Sequence, residues 1–132
     1  MTGRRTGTER GRPALGASTL SQTFEESADR HAGGVAQLYK GGVADRSLVA
    51  DGIVDPAPPG EFAALSYGRL RGLVRTLAAG FRDLGVAADD RVGIFARTRM
   101  EWAQCDLGVL AAGAVVTTLS PTASTEQVRR LR

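Results

Sequence analysis

Few side chains in this sequence have types and spacing that could support chemistry. Adjacent carboxylates at Asp89 and Asp90 could bind a metal ion, and Cys105 could serve as a thiol nucleophile. However, two adjacent carboxylates rarely form a metal site alone, and an Asp pair ahead of an apolar run is typical of a turn. A reactive thiol needs a nearby base, and no histidine lies near Cys105 in the sequence. We therefore expect a turn at Asp89–Asp90, a buried thiol at Cys105 and a structural role for His31 at a helix end.

Glycine pairs at 33–34 and 41–42 raise the question of a phosphate-binding loop. Such a loop is Gly-rich, leads into a helix N-terminus and carries Lys followed by Ser or Thr. Neither pair is followed by that sequence, and the only lysine of the chain, Lys40, precedes its glycine pair. We therefore assign no catalytic residue, no cofactor-binding residue and no metal ligand to this chain.

The positive charge of the chain is concentrated at its start. The 132 residues carry a formal net charge of +3, and the four Arg and one Glu of residues 1–18 account for all of it. A nucleic-acid-binding domain has its basic patch on the folded surface, so we expect no nucleic-acid partner. A weak, salt-sensitive contact of the leader with nucleic acid is the alternative. Three arginines that share one edge of a predicted helix indicate a solvated face, or alternatively a surface for an anionic partner: Arg71, Arg75 and Arg82.

Composition also bears on the compartment. The single cysteine cannot form an internal disulfide. No apolar run reaches the roughly 18 residues of a membrane-spanning helix, and residues 1–18 lack the apolar stretch of a secretory signal. We expect a cytoplasmic protein without a membrane span.

Two segments predict irregular structure. Residues 1–18 are rich in Arg, Gly and Thr without apolar periodicity, which predicts a disordered leader. Residues 41–61 contain three of the five prolines and several glycines, which predicts a surface loop inserted between two strands.

The remaining chain, 19–132, predicts an α/β fold. Capping boxes that begin at Thr19, Thr98 and Ser124 predict helix starts, and Ser66 is predicted to cap a helix that ends before Gly85. Apolar stripes at helical spacing support the first two helices; their members include Leu20, Phe24, Ala28, Leu70, Val74, Ala78 and Leu84. Strands are predicted at Val35–Tyr39, Phe62–Leu65, Arg91–Ala96 and Ala114–Leu119. Residues 91–119 thus form a strand–helix–strand unit with parallel strands, whose predicted core residues are Val92, Ile94, Val115 and Leu119.

The helix after Thr98 is apolar on two sides. Met100, Ala103 and Leu107 lie on one arc, whereas Trp102 and Val109 lie opposite. A helix of this type is usually buried on both sides, and 132 residues offer little to cover the second side. We interpret the side with Trp102 as a core or interface surface that a further segment covers.

Several of these segments resemble the N-terminal region of AMP-forming acyl-CoA synthetases, in particular the long-chain fatty acid–CoA ligase branch. The resemblance begins with TLSQTFEESADRH and continues from Leu65 through LGVAADDRVGIFARTRMEW to the segment LSPTASTEQVRRL. In its most specific element, Thr-Arg-x-Glu-Trp, the matching residues are Thr98, Arg99, Glu101 and Trp102. Relatives commonly have Tyr where this chain has Ser120.

The resemblance implies a partial N-terminal subdomain of an α/β ligase fold, incomplete relative to the full family fold and truncated at the C-terminus. For the full-length family it implies ATP, Mg and coenzyme A, which form acyl-CoA from a fatty acid through an acyl-adenylate. The family's phosphate loop, adenine-binding motif and catalytic Lys have no counterpart here, so the chain alone is expected to be inactive. Trp102 would line the acyl tunnel under one interpretation, although a core or interface role is preferred. The alternatives for the chain are a non-catalytic interaction module, or half of a split enzyme whose partner is a separate chain that carries the C-terminal part.

Overall fold

The computed structural model describes residues 19–42, 52 and 54–130, which form a mixed α/β unit. The helices and strands follow in the order α1 (Leu20–Arg30), β1 (Val35–Lys40), β2 (Phe62–Ser66), α2 (Tyr67–Asp83), β3 (Arg91–Phe95), α3 (Met100–Ala111), β4 (Val115–Leu119) and α4 (Thr125–Arg129). The predictions for the leader, 1–18, and for positions 43–51 and 53 of the loop lie outside the described residues.

The described strands form two separate two-stranded sheets. Strands β1 and β2 pair antiparallel, with a register irregularity between Val35 and Gln37. Strands β3 and β4 pair parallel, in a register that aligns Arg91 with Val115 and Phe95 with Leu119. Parallel neighbours need a crossover connection. The 19 residues between β3 and β4 provide it, and α3, which lies within them, packs on the sheet. The predicted parallel strand–helix–strand unit is confirmed.

Three of the four predicted helix starts are confirmed by their hydrogen bonds. The side chains of Thr19 and Ser66 accept from the backbone N–H groups of Gln22 and Arg69. Ser124 forms the full reciprocal box, since its backbone N–H also donates to the Gln127 side chain at 2.8 Å. Each cap satisfies N–H groups that a helix start leaves without an intrahelical partner.

The capping box predicted at Thr98 is wrong. The N-cap position belongs to Arg99, which makes no side-chain cap hydrogen bond. The Glu101 carboxylate, which the box would direct back to the backbone of Thr98, instead accepts from the Arg99 guanidinium. Both options are charge-assisted, but the guanidinium offers the carboxylate two parallel N–H donors where the backbone offers one, which explains the one-residue shift.

Helix α2 ends as its sequence predicts. Gly85 has φ of 97°, a left-handed conformation that glycine adopts without a Cβ penalty. The N–H of Val86 donates to the carbonyl of Phe81 at 3.0 Å, and that of Gly85 donates to the carbonyl of Arg82 at 2.9 Å. This pair of bonds is a Schellman motif, and it turns the chain toward β3.

The core lies between the β1–β2 hairpin and helices α2 and α3. Its buried members are Tyr39, Val54, Leu65, Leu70, Val74 and Met100. Val54 belongs to the segment predicted as a surface loop; its backbone is irregular, as predicted, but its side chain is buried in the core rather than exposed. The Tyr39 hydroxyl donates to the carbonyl of Asp55 at 2.6 Å, which ties the end of the loop to β1.

Helices α2 and α3 approach closely through a glycine. A Cβ placed on Gly108 would lie 2.8 Å from the Cβ of Leu77 and 3.2 Å from the Phe81 ring. Carbon atoms pack at roughly 3.5–4.0 Å, so only a residue without a side chain allows this approach. Near it, Val109 is completely buried, which contradicts the prediction that its side of α3 is without partners.

Three residues expected in apolar stripes or in the core are exposed: Leu20, Leu84 and Val115. The two leucines stand at helix ends, since Leu20 is the first residue of α1 and Leu84 is the C-cap of α2. Val115 lies with Phe95 on the face of the β3–β4 sheet opposite to that of Ile94, which is buried. Phe95 is 59% exposed, so no described element covers this face. Within the described residues, no helix combines the length and apolar character needed to cross a bilayer.

Candidate functional site

A cleft of about 400 Å³ opens where β3 ends and α3 begins. It is lined by Ala96, Thr98, Arg99, Trp102 and Ala103. In open α/β sheets, ligands bind outside the carboxyl ends of the parallel strands, because the connecting loops and helix N-termini meet there. The cleft therefore occupies the position in this topology where a ligand or a neighbouring segment is expected.

The Arg99 guanidinium at this cleft is paired with a carboxylate. Its Nε lies 2.8 Å and its Nη2 lies 3.0 Å from the two carboxylate oxygens of Glu101. The Glu101 side chain is mostly buried, so the pair is partly shielded from solvent. The Glu101 carboxylate thus compensates the positive charge of Arg99 beside the cleft through a bidentate, charge-assisted pair.

Trp102 supplies the aromatic surface of the cleft. It is half-buried and forms one wall together with Ala103. Its backbone N–H donates to the carbonyl of Arg99 at 3.1 Å, which holds it in the first turn of α3. This position agrees with the predicted interface or core role, since an indole in a cleft wall has one face packed and one available.

A buried amide pair lies behind the cleft, and the sequence analysis missed it. Gln104, 1% exposed, donates from its Nε2 to the Oε1 of Gln37 at 2.9 Å. The Nε2 of Gln37 donates to the carbonyl of Met100 at 3.2 Å. Gln104 falls next to Met100 on the apolar arc of α3, and a polar residue at such a position is the available sequence signal, since buried polar groups require partners.

Burial shifts the pKa values of two ionisable groups on α3. Burial raises the pKa of the Cys105 thiol, and the charge of Glu101 adds to this effect. Burial also raises the pKa of the Asp106 carboxyl. A raised thiol pKa leaves less thiolate at neutral pH, which disfavours a nucleophilic role. The predicted buried thiol is only partly buried in the structure.

The other chemically capable residues lie away from the cleft. Asp89 adopts a left-handed φ of 66°, and the Asp90 carboxylate accepts from the backbone N–H of Ala87 at 2.8 Å, so the predicted turn is confirmed. His31 is the C-cap of α1, with its ring 6.5 Å from that of Tyr67. Among the described residues, no three His, Cys, Asp or Glu side chains gather in a way that could hold a metal ion.

The three arginines of α2 lie on a solvent-accessible edge, as predicted, with Arg75 and Arg82 exposed and Arg71 partly buried, and they also contact the neighbouring helices. Arg71 pairs with Asp29 of α1, and Arg75 forms two hydrogen bonds with Glu25 of the same helix, at 2.9 and 2.6 Å. The Glu25 pairing also raises the pKa of Arg75. Arg82 donates to the carbonyl of Ala111 at 2.7 Å, at the C-terminus of α3.

These contacts join α2 to both neighbouring helices. A guanidinium at a helix C-terminus also complements the helix dipole. The arginine row therefore bridges α2 to its neighbours at an exposed edge, where such pairs contribute little to stability.

Comparison with known proteins places this unit in a family. The family model for AMP-binding enzymes matches residues 24–131. The chain is 52% identical over 56 residues to the long-chain-fatty-acid–CoA ligase FadD15 of Mycobacterium tuberculosis, an alignment that covers 42% of this chain and 9% of that protein. It is 31% identical over 103 residues to surfactin synthase subunit 1 of Bacillus subtilis, covering 78% of this chain and 2% of that protein.

Among solved structures, the fatty acid AMP ligase of Legionella pneumophila is 21% identical, with a TM-score of 0.48. That match covers 57% of this chain and 13% of the solved chain. The chain thus spans only about a tenth of the length of the fatty-acid ligase relatives it matches, and less of the surfactin synthase subunits. Because the family model extends over most of the sequence, the chain belongs to the AMP-binding enzyme family.

Proposed function

We propose that this chain is the N-terminal segment of a fatty acid–CoA ligase. Such an enzyme converts ATP, a fatty acid and coenzyme A into acyl-CoA, AMP and diphosphate through an acyl-adenylate. The observation that carries the proposal is the family match over residues 24–131, sharpened by the 52% identity to a long-chain-fatty-acid–CoA ligase. The parallel β3–α3–β4 unit, with its cleft at the strand ends, supports the ligase fold that the resemblance implies.

We further propose that the segment does not catalyse this reaction alone. Adenylate formation requires several cationic or backbone donors around the phosphates and Mg²⁺. In the described cleft the one guanidinium is already matched by Glu101, and the single lysine, Lys40, is exposed at the end of β1. ATP, Mg²⁺ and coenzyme A are therefore assigned to other parts of a full-length ligase.

The test is ATP–pyrophosphate exchange on the purified chain with a panel of short-, medium- and long-chain fatty acids. A full-length long-chain fatty acid–CoA ligase serves as the positive control. We expect exchange at background level for every acid, since no described group stabilises a transferring adenylyl phosphate. Exchange that follows the chain through chromatography would disprove the proposed inactivity.

The uncovered apolar surfaces favour a second function, as the docking half of a split enzyme. Leu38 and Phe62 are exposed on the outer face of the β1–β2 hairpin, and Phe95 and Val115 on the outer face of the β3–β4 sheet. Exposed apolar patches of this type mark interaction surfaces in soluble proteins. Co-expression of this chain with a ligase from which the corresponding N-terminal segment has been deleted should restore ATP–pyrophosphate exchange. No restoration, combined with a sharp cooperative melt of the chain alone, would favour a non-catalytic interaction module.

A further inference from the structure

The geometry points to a conformational link between the β1–β2 hairpin and the Trp102 cleft, formed by the side-chain amides of Gln37 and Gln104. Gln37 lies on β1, whereas the cleft is built on β3 and α3, which share no strand with the hairpin. The amides connect two parts of the fold that the described backbone leaves separate. Gln37 is therefore a positioning residue, which acts on the cleft through α3.

The two hydrogen bonds cross the interface in opposite directions. Gln104 donates to Gln37 at 2.9 Å, and Gln37 in turn donates to the carbonyl of Met100 at 3.2 Å. Met100 is the first residue of α3 and stands between Arg99 and Trp102, which line the cleft. A single side chain on the hairpin thus holds both the first turn of α3 and the following turn.

Burial makes this link specific. Gln104 is almost completely buried, and Met100 is also buried. In such surroundings a lost amide partner leaves a donor or acceptor unsatisfied, so the network favours one relative position of hairpin and helix. A purely apolar contact would allow the two elements to slide by small distances, because it has no directional preference.

The chain carries a suitable reporter, since Trp102 is its only tryptophan. Its emission and its quenching by acrylamide can be measured on the full chain without a ligand. The test variant is Gln37→Leu, which keeps the approximate side-chain volume and removes both amide hydrogen bonds. The matched control is Tyr39→Phe, which removes the hydrogen bond to Asp55 from the same strand and leaves the two amide hydrogen bonds of Gln37 in place.

We expect Gln37→Leu to shift Trp102 emission to the red and to increase its quenching while the far-UV circular dichroism stays unchanged. Tyr39→Phe should leave both fluorescence properties unaltered. An unchanged spectrum for Gln37→Leu would overturn the inference. So would an equal shift in Tyr39→Phe, because it would reflect general loosening of the hairpin.

A double variant keeps the test decisive if Gln37→Leu does not fold. Replacing Gln37 and Gln104 together by Leu leaves no buried amide unsatisfied, and such paired replacements can be nearly neutral for stability. The bond to the Met100 carbonyl is still lost. We expect the Trp102 emission of this folded variant to stay shifted from wild type, whereas a wild-type spectrum would show that apolar packing alone positions the cleft.

Discussion

The close contact at Gly108 allows a quantitative prediction for Gly108→Ala. The new Cβ would lie 2.8 Å from the Cβ of Leu77, against a normal carbon contact of roughly 3.5–4.0 Å. Both atoms sit next to helix backbone, so neither can rotate away. Helices α2 and α3 would have to separate by about 1 Å along this line, and overpacking of this kind typically costs about 1–3 kcal/mol.

The same substitution brings an opposing gain. Alanine is favoured over glycine inside a helix by about 1 kcal/mol. The net expectation is a loss of about 0–2 kcal/mol in the free energy of unfolding, centred near 1 kcal/mol. For a domain of about 100 residues, a loss of 1 kcal/mol lowers Tm by roughly 4–8 °C.

A matched control separates the two contributions. Gly80 lies inside α2, and a Cβ placed there would meet no atom within 4 Å. Gly80→Ala should therefore show the propensity gain alone, a stabilisation of about 0.5–1 kcal/mol. Urea unfolding followed by circular dichroism, with equal m-values, measures both variants. If Gly108→Ala stabilised the chain as much as Gly80→Ala does, the described approach of α2 to α3 would be refuted.

Two further predictions concern pH and capping. Asp106→Asn should remove a pH dependence of stability. Because burial raises the Asp106 pKa above its ordinary 3.8, the folded state binds this proton more tightly than the unfolded state does. The free energy of unfolding of the wild type therefore falls as pH rises from 3.8 through the folded-state pKa, and it is level above that pKa. The stability difference between Asn and wild type, measured by denaturant unfolding, should therefore grow in favour of Asn across that pH window; a constant difference would contradict the assigned shift. Ser66→Ala should cost about 1 kcal/mol, because Ser66 caps the central helix α2. Ser124→Ala should leave global unfolding unchanged, because α4 has no buried residue, and equal losses in the two variants would show that α4 is packed.

The sequence predicted best where the determinants are local. The caps at Thr19, Ser66 and Ser124 and the Schellman end at Gly85 each depend on residues within one or two turns of the chain. The parallel unit also followed from local patterns, because a strand, a helix and a strand with short connections allow few arrangements. The failure at Thr98 was a competition between two local options, decided by the ion pair of Arg99.

Burial was predicted less well, because it depends on which elements meet in space. Val115 carries the residue type of a core strand, yet it lies on the uncovered sheet face, whereas Val54 is buried from within a Pro-rich loop. The link between Gln37 and Gln104 joins positions 67 residues apart, and neither residue has a local pattern that names its partner. For the same reason, the sequence identified Thr98, Arg99 and Trp102 as a matching element but did not indicate that they line one cleft.

The division of the described strands into two sheets has a consequence for how this chain opens. Because the hairpin and the β3–β4 pair share no strand, either can lose its ladder without breaking a backbone hydrogen bond of the other. Among the described residues, the two are coupled through side-chain contacts, which include the packing of α2 against α3 around Gly108 and the hydrogen bonds of Gln37 to α3. Regions joined in this way tend to behave as distinct units in hydrogen exchange. The amides of β1 and β2 should therefore exchange through an opening separate from the one that exposes β3 and β4. The α2–α3 contact should determine how far the free energies of these two openings differ.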